Sequence, residues 1–141
     1  MKKTEEGWSF IETLIVIAIV LILTAGVGFS AIQYLDKARV VTAKSQIESF
    51  GVALEAYYID CGKYPSTEQG LSALWKKTEI APIPNNWNGP YMYKKIPQDP
   101  WGTEYEYFTP GPEGLKYGIR SFGADGREGG ENTDADIVSW E

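Results

Sequence analysis

The stretch Gly7–Leu23 reads GWSFIETLIVIAIVLIL, an apolar run with one carboxylate, Glu12, just inside its leading edge. From Thr13 to Leu35 no charged residue occurs. About 20 apolar residues suffice for a helix to cross a hydrocarbon core of roughly 30 Å, so the run is long enough to span a bilayer. Lys2 and Lys3 precede it, which by the positive-inside rule keeps the N-terminus cytoplasmic and sends the rest of the chain outward. An acid inside such a helix costs about 2.5–3.5 kcal/mol on insertion scales. Two general readings of the run are a cleaved secretory signal, with small residues at Ala25–Gly28, and a plain membrane anchor. Neither gives Glu12 a purpose.

The helical pattern continues past the apolar run. Between Leu35 and Tyr58 there is no proline, and Ala43, Ile47, Phe50, Leu54, Tyr57 and Tyr58 recur at spacings that lay one apolar stripe along a helix. That stripe is expected to pack into a core. Asp60-Cys61-Gly62 should end the helix, with Gly62 as its C-terminal cap and Pro65 just beyond. The whole helix is then about 50 residues at 1.5 Å rise each. Gly26 and Gly28 are weak points within it, costing about 1 kcal/mol each.

Beyond the helix, Ser66 with Gln69 three positions on predicts a capping box for a short helix through about Trp75. A Pro- and Asn-rich loop follows (IAPIPNNWNGPYM), then the turn IPQDPWG. TEYEYFTP and GLKYGIRSFG, flanking PGPEG, read as an antiparallel β-hairpin. A long helix followed by a small antiparallel sheet is an α+β arrangement with the helix as spine.

Composition narrows the function. The 141 residues contain no histidine and one cysteine, Cys61. Ser-His-Asp and Cys-His nucleophiles, His-ligated zinc and an intrachain disulfide are thereby excluded. No cleft-like pairing of acids stands out, so catalysis is not expected. Cys61 fits a small buried residue at the helix end. The net charge of −6 is concentrated after Ser121, where six acids face one base, Arg127; such a pole repels phosphates and argues against nucleic acid.

That acidic stretch, SFGADGREGGENTDADIVSW, supports two readings. Clustered like charge among glycines suits a solvated, mobile loop. Carboxylates together with glycines that let carbonyls turn inward also suit Ca²⁺, which takes six to eight oxygens at about 2.3–2.6 Å. EF-hand spacing is absent.

Gly7, the aromatic Trp8 and Glu12 at the fifth position after the glycine together resemble a type IV pilin-like (class III) signal. The resemblance implies a membrane prepilin peptidase that cuts between Gly7 and Trp8 and methylates the new amine. Glu12 becomes the fifth residue of the mature chain. Members usually begin with Phe; here the position holds Trp8. A carboxylate at that depth can pair with the Trp8 amine of a neighbouring subunit, which explains a charge that a lone helix would not keep.

GKYPSTEQGLSAL, DPWGTEYEYFTPG, SFGADGREGGE and ADI, in that order, resemble the major pseudopilins of the type II secretion system. The implied organisation is a leader at 1–7, a transmembrane and assembly helix at 8–34, and a periplasmic head at 35–141 that includes the amphipathic half of the helix. The implied fold is pilin-like, with a structural Ca²⁺ in the acidic loop. Its ligands would be the Phe122 carbonyl, Asp125 and a carboxylate from Asp134 or Asp136, with Asn132 weaker and Glu128 and Glu131 facing solvent. The implied role is a non-enzymatic subunit in a single-pass inner-membrane pool, extracted into a periplasmic homopolymer that drives export of folded proteins. Its partners would be minor pseudopilins, the prepilin peptidase, the inner-membrane assembly platform with its ATPase, and the outer-membrane secretin. The alternatives are a subunit of a related type IV pilus or DNA-uptake filament, or a monomeric membrane-anchored calcium-binding module.

Overall fold

The computed structural model of the chain describes residues 8–141. Helix α1 runs from Phe10 to Cys61, 52 residues, as the absence of proline allows. It ends where Gly62 takes φ 73° and donates its N–H to the Tyr58 carbonyl at 2.8 Å. A residue with Cβ is disfavoured in that left-handed cap, which is why glycine stands there. Gly26 and Gly28 sit inside α1 without interrupting it.

The chain divides into two compact units, Met1–Asp36 and Lys37–Glu141. In the described part of the first, every apolar side chain is solvent-facing. The helix there is long and apolar enough to cross a membrane. Its hydroxyls are satisfied by its own backbone: Thr24 Oγ1 donates to the Val20 carbonyl at 2.7 Å and Ser30 Oγ to Gly26 at 3.3 Å. Polar side chains bonded this way are tolerated in lipid, where an unpaired donor is costly.

The second unit has the hydrophobic core. Ala43, Ile47, Phe50, Ala53, Leu54 and Tyr57 of α1 are buried against Leu71, Leu74, Tyr105, Tyr107, Ile119 and Ile137. The expected stripe is correct except at one end. Tyr58 is 40% exposed and stacks on Tyr64, ring centroids 4.7 Å apart, and Ala53, outside the expected stripe, is buried. Position 58 lies at the edge of the face that 50, 54 and 57 share, and there the tyrosine meets the ring of Tyr64.

Three short strands form an antiparallel sheet in the order β1-β2-β3: β1 Glu106–Phe108, β2 Gly118–Ser121 and β3 Ile137–Val138. The predicted hairpin is β1–β2, in the register Tyr107 opposite Ile119. β3 pairs with β2 through Ser121 opposite Ile137; at two residues it is too short to leave an alternation in the sequence.

The capping box at Ser66 is formed reciprocally. Ser66 N–H donates to Gln69 Oε1 at 3.0 Å and Gln69 N–H to Ser66 Oγ at 3.2 Å. It does not start an α-helix, however. Gly70 at φ 60° breaks the chain direction, and only a 3₁₀ turn, Leu71–Leu74, follows. The irregular loop after it is fastened by side chains: Trp87 Nε1 donates to the Ala73 carbonyl at 3.0 Å, and the Tyr91 hydroxyl to Asp60 Oδ2 at 2.8 Å.

Candidate functional site

At the N-terminal end, Gly7 and the rest of the expected leader lie outside the described residues. Trp8 is 73% exposed. Ser9 precedes the first helical residue, and its N–H donates to Glu12 Oε2 at 2.8 Å. This is the acidic half of a capping box, S-x-x-E, in which a residue at the third helical position satisfies an otherwise orphaned donor. The same four letters, Ser9-Phe10-Ile11-Glu12, were present in the sequence, so this local role for Glu12 was legible there. A negative charge in the first turn also opposes the positive end of the helix dipole. Glu12 therefore has a function within one chain in addition to any function between chains.

The acidic loop leaves β2 at Ser121 and returns at Ile137. Its root is Asp99 of the DPWG turn, a carboxylate only 4% exposed. Asp99 Oδ1 accepts from the N–H groups of Trp101 at 3.1 Å and Thr103 at 2.8 Å. Its Oδ2 accepts from the Ser121 hydroxyl at 2.7 Å, and Ser121 Oγ accepts from Gly123 N–H at 3.3 Å. A buried carboxylate needs such partners. The DPWG turn and the loop thus share one hydrogen-bonded anchor.

Across the loop, Ala124 N–H donates to the Thr133 carbonyl at 2.9 Å. Gly123, at φ 64°, packs so closely on the returning strand that a Cβ would lie 2.7 Å from the Ala135 oxygen and 2.8 Å from that of Asp134. Only glycine permits that approach. Gly130 abuts the same Asp134 carbonyl.

The expected ligands are distributed around this frame. Phe122 is half-buried at the exit from β2. Asp125 is exposed, with Oδ1 accepting from Arg127 N–H at 3.0 Å. Asp134 closes the 3₁₀ turn Asn132–Asp134 and presents its backbone carbonyl, more than its carboxylate, to the glycines. Asp136 has Oδ2 3.6 Å from Arg120 Nη1, whereas Oδ1 is buried without a hydrogen-bond partner among the described residues. The carboxylates of Asp125, Asp134 and Asp136 do not form a three-acid group there. Glu128, expected simply to face solvent, accepts from Arg120 Nη1 at 2.7 Å although its side chain is 76% exposed. Arg120 itself was not singled out from the sequence; the signal was its place opposite Glu106, an oppositely charged cross-strand pair.

Among the expected ligand side chains, Asp136 Oδ1 is buried and unpartnered among the described residues, and Gly123 and Gly130 both pack against the Asp134 carbonyl.

The family model for the type II secretion system (T2SS), protein G, matches residues 30–140. The chain is 43% identical to the type II secretion system core protein G of Pseudomonas aeruginosa over 140 residues, 99% of this chain and 98% of that protein. The Vibrio cholerae protein of the same name is 38% identical over 142 residues, covering 99% and 96%. Among solved structures, the major pseudopilin from the type 2 secretion system of enterohaemorrhagic Escherichia coli superposes with a TM-score of 0.65 at 36% identity, covering 77% of this chain and 92% of that one. With its long apolar helix, its three-stranded sheet and similarity along nearly its whole length, the chain belongs to the type II secretion system protein G family, the major pseudopilins.

Proposed function

We propose that this chain is the subunit that polymerises into the periplasmic pseudopilus, with a mechanical and non-enzymatic role in exporting folded proteins. The observation that carries this reading is α1 itself. Its first half is apolar, exposed on all sides and capped by a charge, while its second half is the spine of a packed head. An apolar half-helix that buries none of its side chains among the described residues is built to be covered by lipid and then by other copies of itself.

Maturation would cut between Gly7 and Trp8 and methylate the Trp8 amine. The chain would wait in the inner membrane as a single-pass protein with its N-terminus cytoplasmic and its head in the periplasm. The assembly platform and its ATPase would extract it, minor pseudopilins would join the same filament, and the secretin would pass the cargo. Glu12 would pair with the amine of a neighbouring subunit. Mass spectrometry of the purified protein tests the first step: an N-terminus at methylated Trp8 is expected, and an intact Met1 or a cut near Ala25 refutes it. Loss of secreted enzymes on gene deletion, with DNA uptake and twitching unchanged, tests the assignment to secretion.

Ca²⁺ would be held by the loop, using the Phe122 carbonyl, Asp125, and Asp134 or Asp136. Asp136 is favoured over Asp134 on its buried, unpartnered Oδ1. When bound, the ion would supply structural charge neutralisation. A rise in melting temperature on calcium addition is expected, reduced in Asp125→Ala; no rise refutes it.

A further inference from the structure

Arg120 lies on β2 directly opposite Glu106 of β1. Its Nε and Nη2 both reach Glu106 Oε2, at 2.8 and 2.6 Å. Its Nη1 donates to Glu128 Oε1 at 2.7 Å and lies 3.6 Å from Asp136 Oδ2. Its Cζ lies over the Phe122 ring, 4.7 Å from the centroid. One side chain therefore touches the acidic loop at its exit, its middle and its return, and ties all three to the sheet. Lysine could not replace it, because only a guanidinium offers several donors in a plane together with a face that stacks on a ring.

Exposure ranks these contacts. The pair with Glu128 is largely in water and weak. Arg120 and Asp136 are 17% and 16% exposed, so their attraction is less screened. Burial lowers the pKa of the guanidinium, and the bonds to Glu128 and Glu106 more than reverse that.

We propose that Arg120 is the acidic loop's built-in cation, a positioning residue that holds residues 122–136 closed on the sheet whether or not a metal ion is bound. Charge counting alone predicts that the acids push the loop open once an ion is removed. Arg120 already neutralises part of that repulsion from within. Where the calcium reading holds, on which this clause rests, Arg120 also orients two of the proposed ligands, Phe122 and Asp136. Its loss should then weaken calcium binding by roughly 10- to 100-fold, as the loss of a group that orients metal ligands commonly does.

Hydrogen exchange on the full chain in detergent, with chelator and with calcium, tests the proposal. In chelator the Ala124 amide, bonded to Thr133, should be protected in the unsubstituted chain. It should exchange about tenfold faster in Arg120→Gln and almost as fast in Arg120→Lys. Phe122→Leu, which removes only the ring face, should have a smaller effect. The Tyr91 amide, bonded to the Leu74 carbonyl away from the loop, should not change. Equal exchange of Ala124 in all variants, or acceleration of both amides alike, overturns the proposal. If Arg120→Gln does not fold, Glu106→Gln decides, since it loosens the guanidinium from the sheet without removing it. If calcium protects the loop in none of the proteins, the calcium reading fails while the chelator comparison still judges Arg120.

Discussion

Replacing Glu12 by glutamine and, separately, by alanine divides its two roles. Within one chain, Glu12 Oε2 accepts from Ser9 N–H at 2.8 Å. Glutamine fills the same place in a capping box, so Glu12→Gln keeps this bond and removes only the charge. Loss of a cap costs about 1 kcal/mol, roughly a fivefold change in an equilibrium. Loss of a desolvated ion pair that leaves its partner's charge buried costs about 3–5 kcal/mol, two to nearly four orders of magnitude. If Glu12 pairs with the Trp8 amine of a neighbouring subunit, Glu12→Gln should abolish filaments almost as fully as Glu12→Ala. The cap would account only for the small remaining difference. The assay is the filament yield recovered by shearing, alongside membrane fractionation to confirm that both variants insert. Wild-type yield from Glu12→Gln combined with failure of Glu12→Ala would refute intersubunit pairing and leave Glu12 as a helix cap.

Three further outcomes can be measured on the head. Phe50 is 1% exposed and packs edge-on to Tyr105 at 5.1 Å; Phe50→Ala should cost about 3–5 kcal/mol, read as a lowered urea midpoint with an unchanged slope. Burial raises the pKa of Tyr57 from 10.0 to about 12, and burial raises Tyr105 and Tyr107 as well. Unfolded tyrosines ionise first, so stability should be level below pH 10 and fall between pH 10 and 12. A melting temperature that holds constant to pH 12 would contradict this. Gly123→Ala forces a Cβ to within 2.8 Å of the Asp134 oxygen; it should lower calcium-free stability by more than 1 kcal/mol and reduce the melting shift on calcium addition, as followed by circular dichroism.

How far the sequence could be read depended on the kind of signal. Periodicity located α1 and five of its core positions, and Gly62 marked its end, because both follow from 3.6 residues per turn and from positive φ. The exposure of Tyr58 was not legible. Whether a tyrosine near the edge of a stripe turns inward depends on what it meets, and Tyr58 meets the ring of Tyr64. The Ser66–Gln69 box was correctly identified, but the helix it announces is cut short by Gly70. The loop through Trp87 and Tyr91 has no period, since single side-chain bonds to Ala73 and Asp60 hold it. At the acidic loop, composition located the charges. It did not reveal that Arg120 holds two of them, which follows only from the strand register.

The residues of the packed core begin at Ala43, and none of the described residues before it is fully buried. This separates two free energies that are usually entangled. The buried residues of the core all lie between Ala43 and Ile137, outside the apolar stretch 10–35. Partition of the apolar half between lipid and a protein neighbourhood is then a transfer process, scaled by area and by the single charge near its tip. Under the proposed function, a subunit would leave the bilayer, or return to it, without any residue of that core being remade.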